Sequence, residues 1–150
     1  MLKLLLSLIR RRKARQIADK VARVIIGASG LAFHLKHDEN QLIPEDGFVR
    51  AYVYGAISFA MTRFDLQGEL ETKGYIVWET YERLFPGKGQ NLLIASNEKA
   101  GAGDKEFKRV ANIGFEEMKQ VLEALDSGNT ENARTLESLT RQLMRILVQN

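Results

Sequence analysis

The sequence has no cysteine, which removes disulfides, thiolate nucleophiles, zinc–cysteine sites and iron–sulfur clusters together. With two prolines and no low-complexity tract it carries no signature of disorder, so the chain is expected to fold. No apolar run reaches about eighteen residues, the length a helix needs to cross a bilayer. A secretory signal is not expected either, because such signals place positive charge ahead of the apolar segment and here Arg10 to Lys13 come after it. The expectation is a cytoplasmic protein.

What is present is the composition of an ordinary globular domain, 45% hydrophobic and 27% charged over 150 residues. The net charge of +3 conceals a segregation. Residues 1–23 hold eight cations and one anion, Asp19, whereas the rest of the chain holds fourteen cations and eighteen anions. A basic terminus on a mildly acidic body suggests a polyanionic partner, either phospholipid or nucleic acid, or else the acidic body itself.

Hydrophobic spacing predicts an all-α protein, a single-domain bundle of five to six helices ending in a C-terminal antiparallel helical hairpin. Residues 1–26 read as a basic amphipathic helix with an apolar tip, docked on a helical body over 27–150. Its docking stripe is Ala14, Ile17, Ala18, Val21 and either Val24 or Ile25, opposite Arg11, Arg15, Asp19 and Arg23. Gly27 and Gly30 are expected to stop or kink it.

A helix over about 48–64 is apolar on nearly every side and should be central, with Gly55, Ala56 and Ala60 admitting a close neighbour. Strand is the alternative for its AYVYGAISF run. Another helix over about 69–85 ends at Pro86 and Gly87. The stretch GKGQNLLIASNEKAGAGD has four glycines and reads as a loop with one helical turn. Asp104 as N-cap and Gly128 as C′ residue bracket a helix, and a last one runs over about 130–148. The short SGN link makes these two antiparallel neighbours that bury Phe115, Met118, Leu122, Leu139 and Leu143.

No motif names a reaction, so a non-catalytic protein without cofactor or metal is expected. His34 and His37 share a helix spacing, but two imidazoles do not make a metal site, and the Glu-x-x-His pair of di-metal bundles is absent. The segment PGKGQN lacks the phosphate-loop pattern, and in GAGD the cap Asp104 would fill the place of an anion. Trp78, Tyr75, Tyr81, Tyr52 and Tyr54 read as core before they read as a ligand pocket, and Glu79 and Glu82 cannot be promoted to acid and base without one.

The strongest signal is LLLSLIRRRK near the start. Four consecutive helical residues point in four different directions, so Arg10, Arg11, Arg12 and Lys13 form a girdle around the helix. At least one cation faces every side, and burying an unpaired charge is expensive. Ahead of the girdle lies a tip of Leu2, Leu4, Leu5, Leu6, Leu8 and Ile9, interrupted by Lys3 and Ser7. The expected interaction residues are Leu5, Leu8, Ile9, Arg10, Arg11, Arg12, Lys13 and Arg15. Three uses compete: self-association or contact with a protein partner, most simply as a homodimer; attachment to an anionic membrane surface through residues 1–13; and nucleic-acid binding by the Arg10 to Arg15 cluster, which no aromatic residue before Phe33 supports.

Overall fold

The computed structural model describes residues 1–29, 46–63, 70–128 and 136–149. Six helices pack against one another, and no strand occurs among the described residues. They are α1 (Leu2–Ala28), α2 (Gly47–Arg63), α3 (Leu70–Leu84), α4 (Gly89–Gly101), α5 (Lys105–Asp126) and α6 (Glu137–Gln149). His34 and His37 lie outside the described residues, as does the segment in which the last helix was expected to begin.

The AYVYGAISF run is helical, and α2 is the central element. Val49, Ala51, Tyr52, Val53, Gly55, Ala56, Ile57, Ala60 and Met61 are all buried, so its apolar residues are used on almost every side. Its principal neighbour is α5, and the approach is backbone to backbone. A Cβ built on Gly55 would stand 1.7 Å from the carbonyl oxygen of Ala111, and one on Gly114 would stand 2.1 Å from that of Tyr52. The two glycines therefore let α2 and α5 close to a separation no other residue permits.

Between Gly87 and Asp104 the loop expectation is overturned: α4 is a helix of 13 residues. The glycines misled because they serve different purposes. Gly87 (φ 78) and Gly103 (φ 71) make the turns at either end. Gly89 instead presses on α3, where a Cβ would meet the Glu82 backbone nitrogen at 2.5 Å. Leu92 and Ser96, four apart, supply the buried side of α4. The helix α1 runs one residue past Gly27 to Ala28, where the Ser29 N–H donates to Ile25 O at 3.0 Å, and Gly30 lies outside the described residues.

The Asp104 cap is where the sequence placed it, accepting the Phe107 N–H at 2.9 Å, and Asp46 caps α2 in the same way by accepting the Val49 N–H at 3.1 Å. Gly128 adopts φ 65 after α5. The helix α6 joins the bundle by completing α1: the Leu136 N–H donates to Ala28 O at 2.8 Å, and the Thr140 hydroxyl lies 2.8 Å from Ser29 O. Carbonyls left open at the end of one helix are thus satisfied by the start of another. Met118, Leu139 and Leu143 are buried, with Phe115 and Leu122 half-buried.

Candidate functional site

The end of α1 that carries the leucines and arginines stands clear of the core. Burial on this helix begins at Ala14 and continues through Ile17, Ala18, Val21, Ala22 and Ile25. Every residue from Met1 to Lys13 is exposed. Leu2 retains 75% of its accessible surface, and Leu6, the least exposed of the six aliphatic residues, retains 44%. The tip is not folded back on its own body.

The orientation of the tip follows from register. Lys3, Ser7, Arg10, Ala14, Ile17 and Val21 are spaced 4,3,4,3,4 and so lie in one row along the helix. From Ala14 onward this row is the buried docking stripe. Ahead of it the same row is Lys3, Ser7 and Arg10, and these line a groove against Thr72 and Tyr75 of α3. The opposite row begins Leu2, Leu5 and Ile9 and continues as Arg12, Gln16, Asp19 and Arg23, all exposed except the half-buried Asp19. The helix therefore exchanges its faces at the girdle: after it the apolar side meets the body, and before it Leu2, Leu5 and Ile9 are turned away from the body while Leu6 lines the groove beside Ser7.

The residues singled out in the sequence divide accordingly. Leu5, Leu8 and Ile9 are exposed on the outward side, at 58%, 57% and 56%. Arg10 and Arg11 border the groove, while Arg12 and Lys13 are exposed outside it. Arg15 is different, because its Nε donates to the Tyr75 hydroxyl at 3.1 Å and its carbonyl accepts from Arg83 Nη2 at 3.4 Å. The hydrogen bond to Tyr75 raises the pKa of the Arg15 guanidinium further above its usual value. Arg15 fastens α1 to α3 as well as adding charge.

The other candidates are absorbed by the scaffold. Glu79 accepts the Tyr75 hydroxyl at 3.0 Å and lies 4.0 Å from Arg83; Glu82 accepts the Gly87 N–H at 3.2 Å. Tyr52 and Tyr81 are fully buried, and burial pushes both phenols well above their ordinary pKa. Among the described residues no group of three His, Cys, Asp or Glu side chains is arranged to hold a metal ion. None of the described helices is long and apolar enough to cross a membrane.

This is an all-helical bundle that projects an apolar tip behind a cationic girdle. No protein family, curated protein or solved structure matches the chain.

Proposed function

We propose that this is a peripheral membrane-surface protein, attached to an anionic leaflet through residues 1–13 with its helical body held outside the lipid. The exchange of faces at the girdle carries this reading. With Leu2, Leu5 and Ile9 turned away from the body, they can enter lipid without drawing the bundle after them. Nine helical residues rise about 14 Å, roughly half of a 30 Å hydrocarbon core, so the tip enters one leaflet and cannot cross. Each cation close to an anionic surface contributes about 1 kcal/mol, and a short apolar anchor combined with such a cluster holds where either alone would not. The cytoplasmic leaflet, rich in anionic lipid, is the surface that fits.

Tip-to-tip contact between two copies uses the same leucines but meets a charge problem. It brings together two sets of Lys3 and Arg10 to Arg15, with no acidic residue before Asp19 to offset them. Lipid phosphate removes that repulsion. Nucleic acid would reward the cations and leave the leucines in water.

Co-sedimentation with vesicles tests the proposal. Anionic vesicles should retain the protein, neutral ones should not, and Leu5→Asp with Leu8→Asp should abolish retention although every cation remains. Retention that ignores the leucine changes, or no retention at all, would overturn it.

A further inference from the structure

A cavity of about 310 Å³ lies between α2, α4 and α5, and no residue of α1 lines it. Ala51, Ser96, Phe107 and Val110 are buried and make its floor; Phe48 and Ala95, half-buried, and Gly47, exposed, continue the wall outward. Four charged side chains also border it, and each is already engaged. Lys99 lies 3.5 Å from Asp104, which also accepts the Phe107 N–H. Glu106 pairs with Arg109 at 2.6 Å, and Arg50 has a partner of its own. Ser96 is the exception. It is 2% exposed, and its Oγ meets no hydrogen-bond partner. A buried hydroxyl within a helix commonly bonds back to the carbonyl four residues earlier, as Thr80 does to Ile76 O at 2.7 Å. Ser96 is close enough to the buried Tyr81 hydroxyl to act on that phenol, yet neither oxygen reaches a partner in hydrogen-bond geometry.

A buried hydroxyl left unmet is costly, and one on the floor of a cavity can be met by whatever fills it. No hydrogen bond holds the Ser96 rotamer, so its hydroxyl can turn to a ligand seated there. The remaining chemistry narrows what that ligand is. Charges that already have partners give little reward to a charged molecule, which would have to displace them and lose its own hydration. The aromatic and aliphatic walls reward apolar surface. We infer that the cavity between α2, α4 and α5 binds an uncharged, mainly apolar small molecule with one polar group, held against Ser96. At roughly 30 Å³ for each non-hydrogen atom, there is room for about ten. A single aromatic or terpene-sized skeleton bearing a hydroxyl or carbonyl has that size. The site involves neither the tip nor the girdle and does not depend on membrane attachment.

Two probes that differ by the polar group alone test this. The full chain, without lipid, is titrated by calorimetry with 1-naphthol and with 1-methylnaphthalene, which keeps the rings and lacks the hydroxyl. Saturable binding of one molecule per chain is expected for both, with naphthol tighter by about fivefold, the worth of one net hydrogen bond. Ser96→Ala should erase that preference and leave the affinity for methylnaphthalene as it was. Its melting temperature should stay level or rise, because the lost hydroxyl had no partner. Ala95→Phe, which places a ring in the cavity, should weaken both probes by about tenfold or more. Leu5→Asp with Leu8→Asp should change neither, so that adsorption to the exposed tip, and any failure of membrane attachment, are read separately. The inference is overturned if neither probe saturates, if naphthol shows no preference or keeps it in Ser96→Ala, if Ser96→Ala melts lower than the parent, or if the tip variant loses binding. A folded Ala95→Phe variant that binds as the parent does overturns it too; should that variant not fold, Ser96→Ala decides alone.

Discussion

The carboxylate of Glu117 accepts the backbone N–H of Ser138 at 2.8 Å, and through this pair α5 holds the first turn of α6. The Ser138 hydroxyl donates to the other oxygen of Glu117, and the buried Tyr52 hydroxyl reaches the same carboxylate at 3.0 Å. One acid therefore joins α2, α5 and α6. Glu117→Ala should cost about 2 kcal/mol in urea unfolding, and Tyr52→Phe about 1 kcal/mol, because the phenylalanine variant leaves the Ser138 contacts in place. Equal losses would mean that Glu117 only satisfies Tyr52.

Two kinds of glycine should respond to alanine with opposite signs. At Gly114 the new Cβ would meet the Tyr52 carbonyl at 2.1 Å, and backbone cannot yield as a flexible side chain can. Gly114→Ala should destabilise by about 3 kcal/mol or prevent folding. Gly74 is exposed within α3 and has nothing within 4 Å of that position. Gly74→Ala should stabilise by about 0.5–1 kcal/mol through helix propensity. Denaturation midpoints of the two variants on either side of the parent would establish the distinction.

The Asp104 cap makes a pH prediction. The Phe107 N–H, followed by Lys99, holds the Asp104 carboxyl below its ordinary pKa. Since the folded value lies below the unfolded one, the contribution is complete above about pH 4 and is lost as pH falls through the folded value. Asp104→Asn keeps a cap that does not titrate. Its melting temperature should fall less than that of the parent between pH 5 and pH 3; parallel curves would remove the cap from acid unfolding.

Salt should separate the uses of the tip by sign. Added salt screens the attraction between girdle and anionic lipid, so vesicle binding should weaken between low ionic strength and about 0.5 M, where the Debye length shrinks to a few ångströms. The same screening relieves repulsion between two tips, so any self-association without lipid should strengthen. Light scattering and co-sedimentation over one salt series would show whether the two trends diverge. Self-association that dissolves with salt would show that charge pairing, not the leucines, joins the copies.

Much of the fold could be read from the sequence because the information is local. Asp104 and Gly128 mark the ends of α5 through chemistry within a few residues, and the 3,4 spacing of Phe107, Val110, Gly114, Met118 and Val121 marks its buried side. The helix α4 was misread because a glycine in the sequence does not say whether it frees a backbone angle, as Gly87 does, or admits a neighbour, as Gly89 does. Only the position of α3 distinguishes them. The tip was found from composition, yet its facing was missed, although the row from Lys3 to Val21 was open to inspection. Treating Lys3 and Ser7 as interruptions of an apolar surface hid that they prolong the docking stripe. The groove needed Thr72 and Tyr75, which are distant in sequence and brought close only by packing.

The exchange of faces at the girdle makes the tip sensitive to chain length where it tolerates changes of composition. Each residue turns a helix by about 100°, so one residue inserted between Ile9 and Ala14 would swing the leucines partway toward α3, and two would carry them roughly 200°, nearly reversing inside and outside. Alanine inserted there leaves charge, hydropathy and helix propensity almost untouched. Such a protein would keep every side chain of the tip and present the wrong ones. What the first thirteen residues contribute is thus an angular setting, fixed by the residue count from the stripe that anchors them.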